Sequence, residues 1–271
     1  MRVLFLGDIV GRTARNEVLT QTISLKDEYK CDFVVTNCEN AAGGFGVTPD
    51  ICDALFDCGS DVLTSGNHIW DKTEISSYIA NEPRLIRPLN MNEGFPGAGI
   101  FITSDIKGRR LAVVNIITNL FMSDYTNVFS AISNCLEKVR LGQGADAILV
   151  DVHGEATSEK MALAHFLDGK VSCVFGTHTH VPTADHQILP KGTAYQTDVG
   201  MCGDYNSVIG MNKEVAISRF LNKASGRLTV ATGEPTLCGN IVDIDDKTGL
   251  ALAIEPLRRG GILQETGTPF N

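Results

Sequence analysis

No stretch of the 271-residue chain approaches the roughly 18 consecutive apolar residues of a membrane-spanning helix. The apolar run at the start, Met1 to Leu6, stops at Gly7-Asp8 and is too short for the core of a secretory signal. Cationic excess is missing too: 23 Lys and Arg face 32 Asp and Glu, a formal net charge of −9. Such a balance provides no bulk basic face with which to displace counterions from long nucleic acid or an anionic membrane. The eight cysteines include no CxxC pair and none of the crowding that staples small secreted domains, so they are read as reduced, mostly buried thiols. Gly7, Gly11, Gly43, Gly44 and Gly46 form no GxGxxG fingerprint, which argues against a dinucleotide-binding oxidoreductase. Internal repeats, low-complexity blocks and linkers are absent as well. What these exclusions leave is a globular, cytoplasmic protein, long enough to bury a sizeable core in one large domain.

What is present is an alternation of strand-length apolar runs with helical periodicity. Residues 2–6, 33–36 and 62–64 read as buried strands, with helices over 16–30 and 49–56 between them. Val18, Leu19, Thr22 and Ile23 are expected on the buried face of the first helix, and Thr48-Pro49 opens the second. This βαβαβ start predicts a parallel sheet covered by helices. Lys107-Gly108, between 99–103 and 110–117, signals an antiparallel hairpin. A helix over 127–141, a strand over 147–152, a helix over 158–167 and strands over 171–175 and 194–197 follow. Asp246 to Gly249 turn a second hairpin between 240–244 and 250–254. The fold class is α/β, with a single domain over residues 1–256 and a loose tail over 257–271.

Five of these strands run into residues that can hold a metal: Gly7-Asp8, Cys38-Glu39-Asn40, Gly66-Asn67-His68, His153-Gly154-Glu155 and His178-Thr179-His180. Ligands of parallel α/β sheets bind beyond the carboxyl ends of the strands, so these loops are expected on one rim. Each signal has an ordinary explanation when taken alone. An Asp after a first strand often caps a turn, Glu39-Asn40 fits loop polarity, and His153 fits a satisfied strand-end histidine. The HxH carries more weight, because alternation puts both rings on one side of an extended segment. Together they form a carboxylate, imidazole and amide set without thiolate, suited to iron, manganese, zinc or other divalent ions. Some seven groups suggest two ions, the device that clamps the attacking and leaving oxygens of a phosphoryl displacement, with Glu39 as a sensible bridge. His165, inside a helix, is read as a partly buried structural residue, and His186 as a turn residue.

In this order the residues resemble the calcineurin-like metallophosphoesterases. More narrowly, Leu6 to Gly11, Asn37 to Gly44 and Thr64 to Asp71 resemble the bacterial YmdB-type cyclic-nucleotide phosphodiesterases, over about residues 1–256. The resemblance implies a metallophosphoesterase fold, with sheets flanked by helices and a dinuclear site at the carboxyl ends of the strands. Carried over by position, it implies that Asp8, Glu39, Asn40 and His180 hold one ion, and Glu39, Asn67, His153 and His178 the other. Iron or manganese is expected, with zinc or magnesium open. The broader superfamily has Asp-x-His in its first motif, whereas the third position here is Val10; Asn40 would supply the replacement, and Glu39 stands for the usual bridging Asp. A metal-bridging hydroxide is implied as nucleophile and His68 as the general acid. The implied substrate is a small phosphodiester, a 2′,3′-cyclic nucleotide by preference, with 3′,5′-cyclic AMP open. A phosphomonoesterase, a short-RNA nuclease, a metal-stabilised nucleotide-sensing regulator and a homo-oligomer also stay open. Thr118, Asn119 and the loop over 185–192 are positional candidates for the pocket wall.

Overall fold

The computed structural model describes residues 1–122, 124–223 and 227–267. In chain order its elements begin with β1 (Arg2–Leu6), α1 (Gly11–Glu28), β2 (Phe33–Asn37), α2 (Pro49–Asp57), β3 (Val62–Thr64) and α3 (Ile75–Ile79). The hairpin β4 (Ile100–Ser104) and β5 (Arg110–Ile117) leads to α4 (Val128–Lys138) and the two-residue strands β6 (Arg140–Leu141) and β7 (Gly144–Ala145). Then come β8 (Ala147–His153), α5 (Thr157–Leu167), β9 (Cys173–Thr177), β10 (Gln187–Ile188), β11 (Ala194–Gln196) and α6 (Lys213–Phe220). The chain closes with β12 (Leu237–Ile244) and β13 (Ala251–Arg259).

Two sheets face each other, one ordered β13-β12-β1-β2-β3 and the other β10-β11-β9-β8-β5-β4. Strand alternation sets the layering. Val3 and Phe5 of β1, with Phe33 and Val35 of β2, meet Leu111, Val113, Leu149 and Phe175 of the second sheet. The intervening residues Leu4, Leu6 and Val34 turn outward and pack under α1 and α2, while Val114, Ile148 and Val150 pack under α4 and α5. The result is helix, sheet, sheet, helix.

Register does the rest. β1, β2 and β3 are parallel with Leu6 opposite Thr36 and Asn37 opposite Thr64, and β5, β8 and β9 are parallel with His153 between Ile117 and Thr177. The loops that leave these strands therefore emerge on one rim, on both sides of the seam between the sheets.

Several elements differ from the sequence expectation. The first helix starts at Gly11, within a polar stretch that shows no apolar period. Its buried stripe is Ala14, Val18, Thr22 and Leu25, which sends Ile23 into water at 56% exposure. The short helices α3 and α6 had no sequence signal, and α4 ends at Lys138 rather than continuing to 141. His165 lies on the exposed face of α5 and is not partly buried. β13 carries its sheet to Arg259, past the expected domain end at 256; Thr266 pairs with Arg258, and the Tyr29 hydroxyl donates to Gly267 O at 2.6 Å. Residues 268–271 of the expected tail lie outside the described residues. All eight cysteines are free and buried, as expected. Among the described residues no helix is long and apolar enough to cross a membrane.

Candidate metal centre

The strand-end residues converge. Asp8 follows β1 and is fully buried, and its Oδ2 accepts the His178 N–H at 3.2 Å. Glu39, just past β2, places Oε2 at 2.6 Å from His153 Nε2, while its Oε1 accepts the His68 N–H at 2.8 Å. His153, the last residue of β8, sets Nε2 at 3.1 Å from Asn67 Oδ1 and 3.0 Å from His178 Nδ1. On the other side of Asp8, Asn40 Nδ2 lies 3.2 Å from His180 Nε2. One grouping is thus Glu39, Asn67, His153 and His178; a second is Asn40 and His180, with Asp8 between the two.

Whether these residues fit a metal is decided by their unused atoms and by their ring orientations. Asp8 Oδ1 and Asn40 Oδ1 are buried oxygens without a hydrogen-bond donor, a costly state unless a cation meets them, while Glu39 Oε2 is buried against His153 Nε2 at 2.6 Å. Each histidine, moreover, is anchored through one ring nitrogen and offers the other. His153 Nδ1 is 3.0 Å from Thr177 Oγ1, which donates to buried Asp151; His180 Nδ1–H donates to Ile209 O at 2.9 Å; His178 Nε2 lies 3.3 Å from Glu155. This is how metal-binding imidazoles are oriented and their tautomers chosen. Glu39, His153 and His178 also bring ligand atoms within 4.8 Å of one another. Gly66 completes the cradle, since a methyl group there would overlap both His153 Nε2 and Glu39 Oε2. The donor set fits divalent cations.

Electrostatics of the metal-free protein follow from this packing. Burial disfavours a charged His153, but Glu39, Asp8 and Asp151 outweigh it and hold the ring pKa up at about 9. Burial likewise opposes a charged Glu39, yet His153 and His68 bring it down to about 2. His178, buried and next to His153, is pushed down to about 3 and is neutral. A raised imidazole pKa adds stability that is complete below the unfolded value near 6.5 and lost as pH rises through about 9. Chelator-treated protein is therefore expected to lose on the order of 3 kcal/mol between pH 6.5 and 9, read as a falling melting temperature that His153→Gln flattens. A flat wild-type curve across that window would contradict the assignment.

Comparison with known proteins identifies the kin of this arrangement. A family model described as YmdB-like protein matches residues 4–257. The chain belongs to the YmdB-like family. Within this family it is 46% identical to a Bacillus subtilis (strain 168) protein named 2′,3′-cyclic-nucleotide 2′-phosphodiesterase, over 94% of this chain and 96% of that one. A solved Thermus thermophilus protein superposes with a TM-score of 0.89 at 40% identity, covering 96% of this chain and 100% of the other. A Mycoplasma pneumoniae structure described as a novel phosphatase gives 0.88 at 34% identity, covering 96% and 93%. The YmdB-like chain thus has the α/β metallophosphoesterase fold expected from its sequence.

Other residues around this YmdB-like centre escaped the sequence reading. His68 Nδ1 is 2.8 Å from Asp71 Oδ2, and the ring of Phe45 packs edge-on against His68 at 5.1 Å between centroids. The only hint of Asp71 was its place three residues after His68. Burial and then the charge of Glu39 push the Tyr125 phenol up to about 12, which places Tyr125 within the field of the site. Of the positional candidates, Thr118 is tied to the centre through its N–H, which donates to His153 O at 2.9 Å. Asn119 instead accepts the Val128 N–H at 2.9 Å at the start of α4. In the 185–192 loop, Asp185 turns toward the hydroxyls of Thr183 and Thr197.

Proposed function

We propose that this chain is a metal-dependent phosphodiesterase that opens 2′,3′-cyclic nucleotides. The observation that carries the reading is the placement of His68. Its backbone N–H is fixed to Glu39 Oε1 and its Nδ1 to Asp71, so a partly exposed ring is held next to the proposed ligands with Nε2 not engaged by either contact. A protein that only stored metal or sensed a nucleotide would need the ligand set but no oriented acid next to it.

Asp8, Glu39, Asn40 and His180 would hold one ion and Glu39, Asn67, His153 and His178 the other, with Glu39 shared between them. Two divalent ions bound there would acidify an attacking water and neutralise the phosphoryl oxygens. The chain's own residues supply the rest. Attack at phosphorus breaks the bond to the ring oxygen on the far side, and that alkoxide needs a proton as it leaves. His68, with Nδ1–H held by Asp71, is suited to deliver it from Nε2 when the ring is charged. Phe45 limits how the imidazole can turn. Ring opening is hydrolysis, so no co-substrate beyond water is required.

The name of the Bacillus subtilis relative supports the 2′,3′-cyclic class. A decisive experiment loads the protein with iron or manganese, counts bound metal, and assays 2′,3′-cyclic AMP, 3′,5′-cyclic AMP and a generic phosphodiester side by side. About two ions per chain and fastest turnover of the 2′,3′-cyclic substrate are expected. Fewer than one ion per chain, with none of the three hydrolysed, would overturn the proposal.

A further inference from the structure

A buried ion pair that touches none of the proposed ligand atoms sits directly behind the two histidines of the HxH. Lys160, on α5, is 1% exposed, and Asp198, just past β11, is fully buried. Lysine is rarely buried unless paired, because desolvating an ammonium is costly, so a position that keeps one has a specific task. Lys160 Nζ donates to Asp198 Oδ2 at 2.9 Å and to Thr177 O at 2.7 Å. Asp198 Oδ2 also accepts the Thr179 N–H at 3.1 Å and the Thr179 hydroxyl at 2.7 Å, while Oδ1 accepts the Gly200 N–H at 2.9 Å. Thr177 and Thr179 flank His178. The pair therefore grips the backbone on both sides of one histidine and immediately before the other.

The grip opposes a local preference. His178 and His180 have φ of 93° and 66°, the left-handed region that non-glycine residues enter only at an energetic cost. Two such residues in three persist when their surroundings over-determine them. From the other side, Met201 N donates to His180 O at 3.3 Å and Cys202 N to Asp8 O at 2.8 Å, so the segment that begins at Asp198 binds the loops of Asp8 and His180 together. Room for the lysine stem comes from Gly176, where a methyl group would crowd Lys160 Cδ and overlap Thr197 O.

We propose that Lys160 and Asp198 are a positioning pair that holds His178 and His180 in their left-handed conformations, so that both rings face the metal site. This rests on the metal-site reading above. When the supports of ligand histidines are lost, metal affinity typically falls 10- to 100-fold.

The test titrates the metal-free full-length chain with Mn²⁺ alone, by calorimetry, and records the electron paramagnetic resonance spectrum of the loaded form. Lys160→Met keeps the volume of the side chain and removes its charge; Thr179→Val, at a half-buried position, removes one Asp198 bond and keeps the fold should Lys160→Met fail to. Leu163→Ala opens a cavity on the same helix and controls for loss of stability. Lys160→Met is expected to bind Mn²⁺ at least about 10-fold more weakly with an altered spectrum, Thr179→Val to shift in the same direction by less, and Leu163→Ala to keep wild-type affinity at a lowered melting temperature. Wild-type affinity and spectrum in Lys160→Met, or in Thr179→Val where Lys160→Met does not fold, overturn the inference, as does an equal loss in Leu163→Ala. A wild-type protein that binds no Mn²⁺ overturns the proposed function, and this inference with it.

Discussion

Replacing His68 with alanine is expected to lower kcat on 2′,3′-cyclic AMP by about 10²- to 10⁴-fold while the wild-type metal content is kept. The two halves of the expectation have different sources. Metal retention follows because Glu39 meets the backbone N–H of residue 68, which alanine keeps. The loss of turnover follows because a ribose alkoxide departs poorly without a proton. A nitrophenyl phosphodiester, whose leaving group is already a weak base, should lose much less. Asp71→Asn should fall between wild type and His68→Ala, since it loosens the ring without deleting it. Equal losses on both substrates, or loss of metal from His68→Ala, would rule out the acid role.

Gly66→Ala is expected to leave the fold in place and to cost about 100-fold or more in turnover, the scale that a misplacement of about 1 Å imposes on positioned catalytic groups. The argument is steric. Gly66 lies on the short stretch between β3 and Asn67, and a methyl group there would occupy the space where His153 Nε2 and Glu39 Oε2 meet. Neither can retreat freely, since His153 Nδ1 is held at Thr177 and Glu39 Oε1 at the His68 N–H. Overpacking of this kind costs about 1–3 kcal/mol of stability, too little to unfold a domain of this size. Metal titration and kinetics on the same preparation check the claim; a Gly66→Ala protein with wild-type metal affinity and turnover would show that the cradle has room to spare.

Much of the candidate site was legible because α/β sheets put their chemistry where strands end. Asp8, Glu39, Asn67, His153 and His178 each end or follow an apolar run, and the continuous burial of these strands leaves such polar residues conspicuous. Asp71, Lys160 and Asp198 were not legible, for reasons that differ. Asp71 acts through a turn geometry that spacing alone does not specify. Lys160 falls on the same stripe as Leu163, Ala164 and Leu167, so a charge on a buried face was readable, but its partner 38 residues away was not. Asp198 follows a strand that the sequence did show, β11, but that strand was not among the five whose ends carried metal-ligand signals. In the fold, Val18, Thr22 and partly buried Leu19 of α1 do face the core, and the reading erred at Ile23, because the stripe runs from Ala14 to Leu25. The brevity of α3 and α6 deprived both of periodicity.

The seam between the sheets gives the centre a second character. Asp8, Glu39, Asn40 and Asn67 all leave the sheet built on β1, and His153, His178 and His180 all leave the sheet built on β9, so neither sheet carries all seven candidate ligands. On the side away from β2, moreover, β1 is flanked by β12, from the far end of the chain. A polypeptide still missing that closure, or one whose sheets have come apart, has only scattered donors. On the proposed assignment, metal capture would report completed assembly, because both sheets must be in place before all seven candidate donors meet.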